Sequence, residues 1–535
     1  MAIVEFALSD IEKLAGRRLT KSILEERIPM MGAPLEKAER GRVWFEIFPN
    51  RPDMLSAEGF ARAVRLFLGG RQRAYKVKSG SIRVNVMPSV KQVRPCIAAA
   101  VVRNVRLTPA AVESLMQAQE KLHDTLGRKR RKVAIGVHDL AKVKPPFTYK
   151  AVAPESVRFV PLGKSDEMNL AEICKRHEKG QAYGHILAGS KLWPVITDAN
   201  GDVLSFPPII NGSLTRVTDG TKALFIDVTG TSQAAVDQAL NILATSMTDR
   251  GFSVESVSVG GRRTPDLTPT CMKVDAAYVN ALLGLSITET KMAQLLSRMG
   301  IGYSKGAASV PAYRTDIMHP MDIAEDVAIA YGYQTFKPEQ PKGRTIARRL
   351  REEERAKAVR MSLVGLGFQE VKSMTLTNES QFSKMNITGS ACTIANSVTA
   401  ECTQCRAWLL PSLLRTLSQN MHVEYPQRIF ELGDCVVPDA RTETGAALAR
   451  KAAAAISGTT AGYEEISAAL SAFLKSMGVA LTLEPAEHGS FITGRCAKAI
   501  VRRKTAGFVG EVRPEVLKAW GLEKPVAAFE VDVMH

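Results

Sequence analysis

The stretch RTDIMHPMDIAEDVAIAYGY, residues 314–333, constrains this chain more than any other. It places four carboxylates, Asp316, Asp322, Glu325 and Asp326, within eleven residues. Like charges that close must find a cation, a buried counter-ion or open water. Pro320 suits the first turn of a helix, where its missing N–H would be unpaired anyway. A helix starting there puts Asp322, Glu325 and Asp326 at i, i+3 and i+4, on one face. Asp316 lies in the preceding extended segment and can fold back on them. One reading is a set of oxygen ligands for a hard cation such as magnesium, which takes one or two carboxylates plus water. The other is an acidic first turn that faces the helix macrodipole, and spacing alone favours it. His319, inside the cluster, reads as a helix cap or surface residue rather than a ligand.

At 535 residues, and roughly 150 per domain, the chain should hold three or four domains. Lys plus Arg is 71 against 54 Asp plus Glu, a net charge of +17. That balance points to a polyanionic partner, nucleic acid above all. The eight cysteines are scattered, and only Cys402 and Cys405 form a C-x-x-C. With no second pair at zinc spacing they read as reduced thiols of a cytoplasmic protein. The N-terminus carries acids early and is not a signal peptide, and no run approaches the ~18 apolar residues of a membrane span. The Ala-rich ALARKAAAAISG is interrupted by charge and reads as a soluble helix or strand edge.

Along the chain, Ser9 with Glu12 suggests a capping box opening a helix, and WFEIF alternates like a strand. Ser56 can cap a helix striped by Phe60, Val64 and Phe67 and ended by Gly69-Gly70. A larger α/β block follows. Its helix PAAVESLMQAQEKLHDTLG has Val112, Leu115, Met116, Leu122 and Leu126 as the expected buried stripe. VAIGV, VLSFPPIING and ALFIDVTGT are strand-like, and a helix closes the block near residues 232–249. GRRTPDLTP reads as a linker. Ser286 with Glu289 suggests a second capping box, before a stripe of Met292, Leu295, Leu296 and Met299 stopped by Gly300. The last block opens with a long charged helix and ends strand–helix–strand.

No phosphate-binding GxxxxGK[ST] loop, G-x-S-x-G elbow or HExxH occurs. The basic run Arg128-Lys129-Arg130-Arg131-Lys132 suits either phosphate contacts or a solvated turn. PPIINGSL mixes apolar and amide groups without charge. That suits a small-molecule pocket, although a buried strand with an Asn-Gly turn is the simpler reading.

Several long segments resemble the beta subunits of phenylalanine–tRNA ligase of the archaeal and eukaryotic cytosolic type. They are NRPDMLSAEGFARAVR, GRKRRKVAIGVHDLAKVKPPFTYKAV, VLSFPPIINGSLTRVT, LFIDVTGT, the acidic stretch, EYPQRIFELGD and GEVRPEV. The resemblance runs essentially end to end. It departs at Arg513, where the family often has His, and at Cys402 and Cys405, which the family does not expect.

The resemblance implies an α+β multidomain chain. Its parts are a small N-terminal α+β domain (1–88), an α/β editing-like domain (89–258), a small winged-helix-like domain (262–337) and a C-terminal class II synthetase-like antiparallel sheet domain (343–535). The last has no G-x-G-x-x-R arginine and is expected to be catalytically inactive. The resemblance implies a catalytic alpha subunit as partner in an α2β2 tetramer, tRNA as ligand, and hydrolysis of tyrosine mischarged on that tRNA. It also turns the acidic cluster into magnesium ligands: Asp316, Asp322, Glu325 and Asp326. For the editing pocket, Leu204 and Asn211 flank the uncharged stretch and are expected to bind substrate. Asp227 and Thr229 alternate on one strand face and are expected to act on it. The competing expectation is a stand-alone RNA-binding protein or deacylase built from the same domains.

Overall fold

The computed structural model describes residues 2–340, 343, 345–387, 389 and 391–533; Met534 and His535, at the end of the expected last domain, lie outside them. It divides into two units, residues 1–339 and 340–535.

In the first unit, period-two burial of Val4 and Phe6 against Val43, Phe45 and Ile47 pairs strand Ala2–Ala7 with Arg42–Ile47. Leu35–Glu39 completes a three-stranded antiparallel sheet. Helix Ala57–Phe67 covers it, and Phe60 sits 4.8 Å from the Phe6 ring and 4.7 Å from the Phe45 ring. Ser56 caps this helix as expected, accepting the Gly59 N–H at 3.0 Å. The Ser9–Glu12 box does not form. Helix Leu8–Ala15 starts two residues early, with Ala7 at its N-cap position, and Glu12 turns away to accept the Leu19 N–H at 2.7 Å.

A ten-stranded mixed sheet follows. Its path runs Ile210–Asn211, Val203–Phe206, Trp193–Thr197, Phe147–Val152, Arg83–Val86, Ser253–Val259, Cys96–Arg103, Leu224–Gly230, Val133–Asp139. The sheet takes in two segments from outside residues 89–258. Arg83–Val86 runs parallel to both its neighbours, and Arg262–Thr264, expected as linker, pairs with Ser253–Val259. The Thr264 side chain is tied to the Ala99 backbone, accepting its N–H at 3.0 Å and donating to its carbonyl at 2.8 Å. Helices Pro109–Asp124 and Gln233–Asp249 pack on the sheet. Leu115 and Leu122 are buried as expected, but Met116 is 38% exposed.

The winged-helix-like part joins helices Ala276–Leu283, Glu289–Arg298 and Pro320–Tyr331 to the three-stranded sheet Thr270–Lys273, Ala307–Val310, Gly302–Ser304. Thr288, not Ser286, caps the middle helix through Lys291 N at 3.3 Å. Met292, Leu295, Leu296 and Met299 are buried, and Gly300 ends the stripe at φ +79°.

One buried polar network joins these parts. Arg62 pairs with Asp249 at 2.8 Å, lies 3.8 Å over the Tyr313 ring and reaches Asp53 at 3.5 Å. Arg51 holds Asp53 through two bonds of 2.8 and 3.0 Å, and Tyr75 donates to Asp249 at 3.1 Å.

In the second unit, a seven-stranded sheet runs Gln369–Glu370, Gln427–Pro438, Ala446–Ser457, Val526–Asp532, Lys504–Val512, Phe491–Val501, Leu481–Pro485. Only the short first strand is parallel to its neighbour. The Ala-rich segment is neither helix nor edge: it is an interior strand. Ala452, Ala454 and Ile456 face one core with helices Arg351–Gly365 and Tyr463–Ser476. Ala453 and Ala455 face the other with helices Leu410–Gln419 and Pro514–Trp520. A strand covered on both faces loses the polar–apolar alternation that marks strands in sequence.

Removing one partner of a buried ion pair leaves an uncompensated charge and costs about 3–5 kcal/mol. Arg62→Met is therefore expected to lower stability by about that much in urea unfolding of the full chain, and Arg62→Met with Asp249→Asn to recover part of it. A shift of the single variant within experimental scatter would show that the network holds nothing together.

Candidate active site

A cavity of about 420 Å³ lies between helix Pro109–Asp124, strands Val133–Asp139 and Leu224–Gly230, and the segment 205–217 of the middle sheet. Strand parity brings its polar centre together. Asp227 is registered opposite Gly136, and His138 stands two residues further along the same strand face. A Cβ at Gly136 would lie 2.1 Å from Asp227 Oδ2 and 2.7 Å from His138 Nε2. Glycine alone leaves room for these two side chains to meet, at 2.7 Å. A carboxylate only accepts, so His138 Nε2 carries the hydrogen. Its Nδ1 lies 2.7 Å from the Thr215 hydroxyl, which anchors the ring from the other side.

Asn211, Asp227 and Thr229 all line this cavity. Leu204 does not. It is fully buried in a core with Phe147 and Phe225, and the alternation of its strand presents Ser205 instead. The Ser205 hydroxyl is buried with no hydrogen-bond partner among the described residues, so its hydrogen-bonding capacity is unspent. Thr229 is already engaged as an acceptor, from Arg94 Nε at 3.0 Å. Val112 and Met116, expected in the buried stripe of their helix, are apolar lining here.

Arg130, from the basic run, is 6% exposed and turned inward. It donates to the Ile209 carbonyl at 2.9 Å and to Glu120 at 2.7 Å, and lies 4.6 Å over the Tyr183 ring. It thereby pins the uncharged stretch to the helix. The His123 ring and the Arg130 guanidinium hold the Glu120 carboxyl down at about 2. Burial pushes His123 down, and its Nε2 accepts the Ile135 N–H at 2.8 Å, which fits a neutral ring. His138, Ser205, Thr215, Glu120 and inward Arg130 were not found from sequence. Parity along VAIGVHD could have exposed His138; the others meet the site only through the fold.

The acidic cluster gathers around a different cleft, of about 520 Å³, lined by Asp316, Asp322, Glu325 and Asp326 together. Helix Pro320–Tyr331 starts at His319, which caps it and forms a capping box with Asp322. Asp322 accepts the Met318 and His319 N–H groups at 2.7 Å each. Arg314, not foreseen, grips Asp316 with bonds of 2.9 and 2.7 Å and reaches Asp326 at 2.8 Å. Burial pushes the Asp326 carboxyl up to about 6, with Arg314 and Arg51 opposing. Among the described residues no three acids, histidines or cysteines converge as a metal-ligand set. A guanidinium thus supplies the positive charge expected of an ion for the two inner carboxylates. All four carboxylates line this one cleft, and their oxygens are the donor type a magnesium ion takes.

All eight cysteines are free, and no helix among the described residues is long and apolar enough to cross a membrane.

Residues 337–533 match the family described as phenylalanyl tRNA synthetase beta chain CLM domain, and residues 272–333 match the tRNA synthetase B5 domain. The chain is 43% identical to the phenylalanine–tRNA ligase beta subunit of Methanothrix thermoacetophila, across 100% of both chains. It is 41% identical to that of Pyrococcus horikoshii, over 98% of this chain and 97% of the relative. A crystal structure of an N-terminal fragment of the Pyrococcus horikoshii beta subunit has a TM-score of 0.59 at 39% identity, covering 62% of this chain and 99% of the fragment.

Gly136→Ala is expected to force the Asp227–His138 pair apart and destabilise the chain by about 1–3 kcal/mol, the usual cost of overpacking. Chemical unfolding of the variant measures this, and an unmoved midpoint would contradict the packing described.

Proposed function

Because the chain belongs to the phenylalanine–tRNA ligase beta-subunit family, we propose that the cavity around Asp227 hydrolyses tyrosine mischarged on tRNA, while an alpha subunit performs charging with phenylalanine. The single observation that carries this reading is a water-accessible cavity that joins apolar walls to a buried carboxylate held by an imidazole. Apolar walls alone discriminate poorly against a substrate that merely adds a hydroxyl, so a second, hydrolytic site is of use to such an enzyme. The unpartnered Ser205 hydroxyl and the Asn211 amide suit recognition of a phenol. Asp227, oriented by His138, suits the holding of a water. Asp227 takes a proton from that water as its oxygen attacks the ester carbonyl carbon, and as the bond to the ribose oxygen breaks the same proton passes to that oxygen, releasing free tyrosine. His138 acts through Asp227 and is a positioning residue.

The test is hydrolysis of Tyr-tRNA by the full chain assembled with its alpha partner. Asp227→Ala is expected to slow it by on the order of 100-fold, the usual weight of a positioned acid–base group. Undiminished hydrolysis would move the chemistry elsewhere. The chain alone is expected to show no phenylalanine-dependent ATP–pyrophosphate exchange, since its C-terminal sheet domain lacks the expected ATP-binding arginine. Exchange by the isolated chain would refute its role as the non-charging subunit.

We further propose that a hydrated magnesium ion is held at Asp322 and Glu325, in an assembly of two alpha and two beta chains acting on tRNA in the cytoplasm. Asp322→Asn with Glu325→Gln should abolish any magnesium-dependent rise in thermal stability of the full chain. A magnesium response equal to that of the parent would rule this site out.

A further inference from the structure

A second cavity, of about 590 Å³, abuts the same strand. Arg94, Arg128, Arg131, Lys132 and His185 line it, and no carboxylate does. Arg94 is 2% exposed. It donates to the Thr229 hydroxyl at 3.0 Å, the Thr229 carbonyl at 2.8 Å and the Arg131 carbonyl at 3.2 Å. Every one of those acceptors is neutral. Among the described residues neither Arg94, Arg128, Arg131 nor Lys132 is in an ion pair. A buried guanidinium without an anion is electrostatically expensive, and here burial pulls it down to about 10.

The backbone is shaped to keep this arrangement. Arg128, Lys129 and Arg130 have φ of 48°, 53° and 66°, three left-handed residues in a row. Each costs roughly 1–2 kcal/mol for a side chain bearing a Cβ. The turn is tied by the Lys132 N–H to the Gly127 carbonyl at 2.8 Å and by the Thr231 N–H to the Lys132 carbonyl at 3.1 Å. It divides the basic run between two cavities: Arg130 serves the first, and Arg128, Arg131 and Lys132 serve the second. Helix Gln233–Asp249 begins at the wall of the second cavity, and its N-cap Ser232 makes no side-chain cap bond. Its first N–H groups add to the positive field.

We propose that this second cavity seats consecutive backbone phosphates of the RNA whose aminoacylated end enters the first. The inference rests on the editing reading for what enters the first cavity, and deepens it by naming where the strand is gripped. Four cations spread around such a volume exceed what one inorganic phosphate would satisfy, and a phosphodiester strand matches both their number and their spread. Arg94 joins the two cavities, since it holds the Thr229 hydroxyl that lines the first.

The experiment uses the full chain assembled with its alpha partner and the triple variant Arg128→Gln, Arg131→Gln, Lys132→Gln. Arg94 is kept, because it supports Thr229. Binding of uncharged tRNA is measured over a series of salt concentrations. The variant is expected to bind at least about tenfold more weakly, with a salt slope shallower by about 0.7–0.9 per cation removed. In deacylation, KM for Tyr-tRNA should rise with kcat changed by no more than about twofold. A charge-keeping variant, Arg128→Lys with Arg131→Lys, should retain the slope of the parent, which separates lost charge from lost fold. Unchanged affinity and slope in the triple variant would overturn the proposal. So would specific competition by inorganic phosphate beyond that of chloride at equal ionic strength, which would make this a free-anion site. The binding arm needs no hydrolysis: a parent enzyme that deacylates nothing refutes the editing reading alone.

Discussion

The first unit depends on one buried guanidinium. Arg62 comes from the helix that covers the N-terminal sheet, Asp249 from the end of a helix on the large sheet, and Tyr313 from the segment leading into the acidic helix. Three stretches far apart in sequence meet on one planar cation. Its neighbours Arg51, Asp53 and Tyr75 complete the charge and hydrogen-bond balance. Such a network is strained by the loss of any partner, because each group has already given up its water. The middle sheet and the winged-helix-like part are therefore positioned by polar pairing as much as by apolar packing.

The same logic, a guanidinium standing among carboxylates, recurs at Arg314. There it stands against two of the four carboxylates that the family resemblance makes magnesium ligands, Asp316 and Asp326. Two carboxylates take their compensation from the protein, and two are left toward water. The cluster is thus two arrangements: an internal ion-pair triad of Arg314, Asp316 and Asp326, and an outer pair, Asp322 and Glu325, of which Asp322 also caps the helix.

At the candidate active site, absence of a side chain matters as much as presence. Gly136 leaves the space in which Asp227 and His138 meet. The strand Leu224–Gly230 then separates two chemically different cavities, one with apolar walls and a held carboxylate, the other cationic. Arg94 reaches from one toward the other through Thr229.

Much was legible without coordinates. Local chemistry determined the Ser56 cap, the Met292–Met299 stripe, the Gly300 stop, the helix beginning at Pro320, and the shared strand face of Asp227 and Thr229. Each depends on neighbours a few residues away, so periodicity and capping rules reach them. Long, unusual segments also carried the family. Tertiary structure decided the rest. It made an interior strand of the Ala-rich segment, because cover on both faces removes alternation. It turned 262–264 into a strand, because Thr264 found Ala99 across the sheet. It excluded Leu204 and admitted Ser205, since parity is legible but which face opens on a cavity is not. It folded Arg130 inward while its neighbours stayed out, and it gave Asp316 and Asp326 to Arg314. A charge's partner is chosen by distance in space at low dielectric, and sequence spacing records that distance only within a turn or a strand.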